Sequence, residues 1–323
     1  MNGDQAWQAA DSRYPSPGRA RVAVLLPCLD EAQAIAEVVG GFRAALPEAT
    51  VYVYDNGSAD DTAVLAAAAG AVVRREPRRG KGNVVRRMFA DVEAEIYVLV
   101  DGDGTYDAPS APAMIAELRA AQLDMVVGAR VSSESTAYRA GHVLGNKVLT
   151  RVVGALFGSA FDDVLSGYRV LSRRLVKSFP ALSHGFEIEA ELAIHALSLG
   201  MPVAELPTPY RARPVGSESK LRTYRDGARI LLAIFKLVKE ERPLFFFSSL
   251  FALLALGSLA IAYPVVVTYL ATGLVPRIPT AVLCTGLMIL AFLSLSSGFI
   301  LDTVTRGRRE MKRLAYLANP PPE

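Results

Sequence analysis

From Arg21 onward, short uniformly apolar runs alternate with segments whose apolar side chains recur every three or four residues. Arg21 to Leu26 (RVAVLL) reads as a buried strand ending at Pro27. Between Glu31 and Leu46, Ile35, Val38, Val39, Phe42 and Leu46 fall on one helical face, and Pro47 follows. Val51 to Tyr54 is a second strand, and Ser58 is the expected N-cap of a helix closed by Gly70. Val72-Val73, a helix from Asn83 to Val92, and strands at Ile96 to Val100 and Asp124 to Gly128 continue the alternation. Farther on, the pattern predicts helices over Asn146 to Phe157 and Glu189 to Leu199, with a strand at Pro202 to Pro207. Such alternation predicts an α/β domain with a mostly parallel open sheet.

The pattern then changes. Leu221 to Glu241 carries Ile230, Leu231, Ile234, Phe235 and Val238 on one face and basic residues on the other. This fits an interfacial amphipathic helix, or a surface helix packed on the sheet. No charged side chain lies between Arg242 and Arg277, or between Arg277 and Asp302. Each run exceeds the roughly 20 residues needed to cross a bilayer core. Lys236, Lys239 and Arg242 precede the first run, and Arg306, Arg308, Arg309, Lys312 and Arg313 follow the second, which places both ends on the cytoplasmic side. The expected organisation is a flexible tail (1–20), a soluble domain (21–220), an interfacial helix (221–242), a two-span hairpin (243–304) and a basic cytosolic tail (305–323). The soluble domain is expected in the cytosol at the inner membrane, since the first twenty residues lack an apolar signal core. Gly257, Gly286 and Gly298 offer sites for homo-oligomer packing between spans.

Composition changes this picture little. Across 323 residues the net charge is +3, which gives a nucleic-acid partner no support. The two cysteines, Cys28 and Cys284, fall in unrelated segments, and the three histidines are scattered, so neither a disulfide framework nor a zinc site is expected.

In an open parallel sheet, ligands bind beyond the carboxyl ends of the strands. The residues found there are Pro27 with Asp30 and Glu31, Asp55, Asp101 with Asp103, and Arg130. Asp101-Gly102-Asp103 can share a hard divalent cation that also grips a diphosphate. The run is not an EF-hand, because its sixth and twelfth positions are Tyr106 and Pro112. No G-x-G-x-x-G follows the first strand, which excludes a dehydrogenase-type dinucleotide site. Asp55 is either a helix-capping aspartate or the acceptor of a base imino N–H.

The ordered series LPCLDE, VYDNGSADDT, RGKGNVVRRMF and VDGDGTYDAP resembles the family 2 glycosyltransferases of GT-A fold. The later VVGAR, DVLSGYR, FEIEAEL and PYRARPVGSESKL are similar to the dolichyl- and polyprenyl-phosphate branch of that family. Asp30 stands where the family commonly has Asn, and Asn56 where a second Asp is frequent. The resemblance implies an inverting hexosyltransferase using a UDP- or GDP-sugar, a polyprenyl phosphate and Mg²⁺ or Mn²⁺. It implies that Pro27, Glu31, Asp55 and Gly82 hold the nucleoside. Asp101, Asp103 and Glu205 would hold the metal and diphosphate. Arg130, Arg139, Asn146, Arg169, Arg213, Ser219 and Lys220 would meet the acceptor phosphate. Arg169 has an alternative as a salt-bridge partner of Asp163. A phosphate acceptor, with a second pKa near ~6, needs no general base. A processive polysaccharide synthase would carry Q-x-x-R-W, and the single tryptophan is Trp7. A scaffold with a dead site would have lost residues such as Asp55, Asp101, Asp103 and Arg130, all present here.

Overall fold

The computed structural model describes residues 20–131, 150–155, 157–158, 161–211, 232, 235–236 and 238–322. Apolar runs build the strands β1 (Ala20–Cys28), β2 (Thr50–Asp55), β3 (Val72–Arg75), β4 (Ala94–Leu99), β5 (Met125–Val131), β6 (Arg169–Ser172) and β7 (Val203–Pro209). Between them lie α1 (Ile35–Ala45), α2 (Thr62–Ala68), α3 (Lys81–Asp91), α4 (Ala111–Ala120), α5 (Arg173–Ser178) and α6 (Ile188–Ser198). The sheet order is β3-β2-β1-β4-β6-β5-β7. Only β6 runs antiparallel, between β4 and β5; the rest pair in parallel. This is a mostly parallel GT-A-type sheet.

Both faces are covered, which is why the strands read as continuous apolar runs. Val22, Val24, Leu26, Ile96 and Val98 join one core cluster with Phe42 and Met114. Ala23, Leu25, Tyr97 and Leu99, one position out of phase, are equally buried, as are Val84, Val85 and Met88 of α3. Full burial of a side chain such as Leu25 contributes about 1.5–3 kcal/mol.

The structure revises several boundaries. The helix expected to start at Ser58 begins at Thr62, because the Ser58 hydroxyl accepts the Asp30 backbone N–H at 2.8 Å instead of capping. The strand β6 was not expected. It is four residues long and lies in a stretch to which the hydrophobic pattern assigns no element. A run that short has no measurable period of its own, and pairing on both edges creates it.

The chain forms two compact units, 1–230 with 314–323, and 231–313. In the second, α7 (Pro243–Thr272) and α8 (Ile278–Leu317) are each long and apolar enough to cross a membrane by length and composition, with 11% of each apolar window buried. They pack together through Ser258 Oγ donating to the Cys284 carbonyl (2.7 Å) and Ser294 Oγ to the Phe247 carbonyl (3.1 Å). Gly298, expected to serve contacts between copies, lies inside this hairpin: a Cβ there would come within 2.9 Å of the Phe247 Cβ. A helix runs past residue 304, where the span was expected to end. Its basic stretch is composed of good helix formers, and Glu241 accepts Lys312 Nζ at 2.9 Å and lies 3.4 Å from Arg309 Nε. These cations hold the Glu241 carboxyl below its ordinary range although burial pushes it up.

The chain end belongs to the first unit. The Tyr316 hydroxyl donates to Asp124 Oδ2 at 2.9 Å, and the Arg174 guanidinium lies 4.9 Å from the Tyr316 ring centroid. Asp124, fully buried, also accepts Ser172 Oγ at 2.6 Å and pairs with Arg174. Replacing Asp124 with Ala strands a partly buried cation and a buried hydroxyl, so unfolding free energy should fall by about 3–5 kcal/mol. Tyr316→Phe removes one hydrogen bond and should cost about 1 kcal/mol. Denaturant titration of the two variants checks the ranking; equal losses would refute it.

Candidate active site

Strands β1, β2 and β4 are in register with their carboxyl ends together, Cys28 pairing with Asp55 and Leu25 with Leu99. Residues leaving these strands line a cavity of about 260 Å³, including Pro27, Glu31, Asn56, Lys81, Asp101 and Asp103. The structure thus brings together four residues expected at the donor site: Pro27, Glu31, Asp101 and Asp103.

Each polar side chain at this rim is held by a local partner. Asp55 Oδ1 and Oδ2 accept the Gly57 and Ser58 amides at 3.1–3.2 Å, closing the turn after β2. Asp103 Oδ1 accepts the Thr105 amide (3.1 Å) and hydroxyl (2.6 Å). Asn56 donates to the Glu76 and Arg78 carbonyls, both at 2.8 Å, and accepts the Gly80 amide at 2.7 Å. An amide is both donor and acceptor, whereas an ionised carboxylate only accepts. That accounts for Asn at the position where a second Asp is frequent: here it pins the loop carrying Lys81.

Lys81 and Glu189 were not among the expected site residues. The Lys81 ammonium, 8% exposed, pairs at once with Asp101 Oδ1 and Glu189 Oε1. Burial opposes its charge, but the two carboxylates outweigh it and hold the ammonium above the ordinary lysine range. Burial pushes the Glu189 carboxyl up against the pull of Lys81. Glu189 Oε2 is buried without a hydrogen-bond partner. Gly167 completes this corner: a Cβ there would come within 2.5 Å of Asp101 Oδ2, so only glycine lets the loop after β5 approach that carboxylate. Both missed residues sat inside quoted motifs (RGKGN and FEIEAEL), but nothing in their local sequence places a helix start against a strand 20 residues away and a helix more than 100 residues away.

On the far side of the sheet, Arg130 at the end of β5 donates from Nε and Nη2 to Asp163 Oδ2 and Oδ1, each at 2.7 Å. This fork-to-carboxylate geometry orients the guanidinium, and it also stacks 5.6 Å from the Tyr210 ring centroid. Burial opposes the Arg130 charge, but Asp163 holds the group above the ordinary arginine range. Tyr210 forms an isolated bridge with Tyr106, joining the loop after β4 to the end of β7.

Three expected assignments meet different surroundings. Gly82 packs against residues 183–184, where a Cβ would come within 2.2 Å of the Ser183 carbonyl oxygen, so its smallness serves this packing. The Glu205 carboxylate accepts the amides of Asp162 (2.6 Å) and Asp163 (2.9 Å), so it buttresses the partner of Arg130 instead of joining Asp101 and Asp103. Arg169 is fully buried and donates to the Val164 (2.6 Å) and Ser166 (3.1 Å) carbonyls; Asp163 pairs with Arg130, not with it. Arg139, Asn146, Arg213, Ser219 and Lys220 lie outside the described residues.

Residues 23–178 match the family model described as glycosyl transferase family 2. Over 303 residues the chain is 35% identical to the glycosyltransferase AglJ of Haloferax volcanii, spanning 92% of this chain and 98% of that one. The chain belongs to glycosyltransferase family 2. This glycosyltransferase is also 28% identical over 221 residues to a Haloferax volcanii protein named dolichyl-phosphate hexose transferase, spanning 68% of this chain and 95% of that one. Among solved structures, glucosyl-3-phosphoglycerate synthase from Mycobacterium tuberculosis, in complex with Mn²⁺, uridine diphosphate and phosphoglyceric acid, is similar at a TM-score of 0.56 and 25% identity. That likeness covers 73% of the glycosyltransferase and 81% of the synthase. The chain is therefore a glycosyltransferase that uses a nucleotide sugar.

Asn56→Asp tests how the loop is held. It removes two donors and sets a carboxylate against the Glu76 and Arg78 carbonyls, each stranded acceptor costing about 1–3 kcal/mol. The thermal midpoint should drop and nucleotide affinity should weaken together; an unchanged midpoint would show that the loop is held otherwise.

Proposed function

We propose that the protein transfers a hexose, with inversion, from a UDP- or GDP-sugar to a polyprenyl phosphate at the cytosolic face of the inner membrane. The observation that carries this reading is the pair Asp101 and Asp103, delivered by β4 into a cavity that also presents the Lys81 ammonium. Pro27 and Glu31 line the nucleoside end of that cavity, with Asp55 stiffening the turn beside Asn56.

Among the described residues no group of three His, Cys, Asp or Glu side chains could hold a metal by itself. Two carboxylates suit Mg²⁺ or Mn²⁺ nonetheless, because such ions take one or two carboxylates and fill their shell with substrate phosphates and water. Asp101 and Asp103 are the residues that would hold the ion. When bound, it would stabilise negative charge on the departing diphosphate.

Arg130, fixed by Asp163 and Glu205, is placed to orient the acceptor phosphate and to offset repulsion between two anionic reactants. Arg139, Asn146, Arg213, Ser219 and Lys220 are proposed for the same task from their motifs. The acceptor oxygen, already deprotonated at neutral pH, forms the new bond to the anomeric carbon. The bond from that carbon to the diphosphate oxygen breaks, and the nucleoside diphosphate leaves with the electron pair.

Support for the lipid acceptor comes from α7 and α8, which fit a hairpin anchor by length and composition, and from the basic residues flanking both. A polyprenyl chain stays in the bilayer, so its transferase must work at the surface. The relative named dolichyl-phosphate hexose transferase supports the same reading.

Radiolabel transfer from a panel of UDP- and GDP-sugars to undecaprenyl phosphate in detergent tests the proposal. One donor should label the lipid fraction, and EDTA or Asp103→Ala should reduce the rate at least about 100-fold, as expected for loss of a principal electrostatic group. Donor binding without lipid labelling would overturn the acceptor assignment and the role of Arg130.

A further inference from the structure

Lys81 stands at a conflict that the transfer reaction alone does not explain. The residue opens α3, and its ammonium is engaged by Asp101 and Glu189 while it lines the donor cavity. Asp101 is also one of the two carboxylates available to a divalent ion. One oxygen, Oδ1, is taken by the ammonium, and the other, Oδ2, lies where a Cβ on Gly167 would meet it at 2.5 Å. Glu189 is 4% exposed and its second oxygen has no hydrogen-bond partner. An acceptor buried in that condition is costly unless a donor or cation reaches it.

Resting on the donor-site reading above, we propose that Lys81 is a resident cation that competes with the divalent metal for Asp101. The donor's diphosphate draws the ammonium off Asp101 and so opens the metal site. Glu189 is the positioning residue that keeps the amine at this corner. The chemistry follows from the groups present. An ammonium has three rotatable donors on a flexible stem, so it can exchange Asp101 for phosphate oxygens while still facing Glu189. The exchange releases Asp101 Oδ1 at the moment when phosphate oxygens arrive to complete a metal's shell. Metal and nucleotide therefore bind cooperatively, and by linkage each raises the affinity of the other by the same factor. Premature metal binding, which would attach the ion without its diphosphate, is disfavoured.

Through-space repulsion between Lys81 and the ion would also weaken metal binding, so the test must separate charge from occupancy. Lys81→Met with Glu189→Gln removes one positive and one negative charge, leaves the net charge of the cluster unchanged, and strands neither a buried ammonium nor a second buried carboxylate. Mn²⁺ binding to the full-length protein in detergent is measured by electron paramagnetic resonance, with and without UDP or GDP, correcting for Mn²⁺ held by the nucleotide in solution. In the unaltered protein, nucleotide should tighten Mn²⁺ binding at least about 10-fold, within the range of ordinary coupling between sites. In the double variant, Mn²⁺ alone should bind about 10-fold tighter than in the unaltered protein, and most of the gain from nucleotide should vanish. Equal Mn²⁺ affinity in the two proteins, with the nucleotide gain intact, would overturn the proposal while leaving the donor site standing. If neither UDP nor GDP binds with Mn²⁺, the donor-site reading fails, and the competition falls with it. A thermal midpoint within a few degrees of the unaltered protein confirms that the double variant is folded; Lys81→Arg, which keeps a cation at the corner, should retain the nucleotide gain and serves as the second arm.

Discussion

Negative charge at the open end of the sheet is the constraint around which the site is built. Asp55, Asp101 and Asp103 end or follow parallel strands, and Asp101 and Asp103 line the cavity there. Left to themselves such groups would repel one another and the ligand. The fold answers with fixed local partners for each. Backbone amides hold Asp55, Thr105 holds Asp103, and Lys81 bridges Asp101 to Glu189. The rim is thereby rigid as well as charge-compensated, and electrostatic assistance depends on groups already oriented.

The antiparallel strand β6 links the corner at Asp101 to the Arg130–Asp163 pair. Reversing direction between β4 and β5, it returns the chain along the sheet with the 163–168 loop at the same end as Asp101 and Arg130. Gly167 then meets Asp101, and Asp163 meets Arg130. Arg169, at the start of β6, spends its guanidinium on carbonyls of that loop, a use of a buried cation for architecture. Glu205 does the same from β7 by holding the amides before and at Asp163. Two residues expected as ligands are thus bound to backbone groups of that loop.

Much of this was legible in the chain. The apolar runs gave the parallel strands because burial on both faces leaves no polar alternation to confuse the reading. The carboxyl-end rule then pointed at Pro27, Glu31, Asp101 and Asp103 without any contact being known. The two long uncharged runs announced α7 and α8 in the same way. What stayed hidden was whatever depends on a partner distant in sequence. β6 is too short to show a period, Gly82 needs the backbone at 183–184 to explain it, and the end of α8 is held by Glu241 and by packing around Asp124.

The sequence by itself determined the element types, the family and the strand ends from which chemistry would come, because each is a local consequence of side-chain period, turn residues and motif order. Tertiary structure alone decided which of the charged side chains reach the cavity and which are bound up elsewhere. Lys81, Asp101 and Glu189 are drawn together by the packing of α3 against β1 and α6, and Glu205 and Arg169 are drawn away by backbone groups of a loop near them. A carboxylate or guanidinium has the same formula in both situations. Its role is set by the partners that burial forces on it, and those are fixed only when the chain has closed.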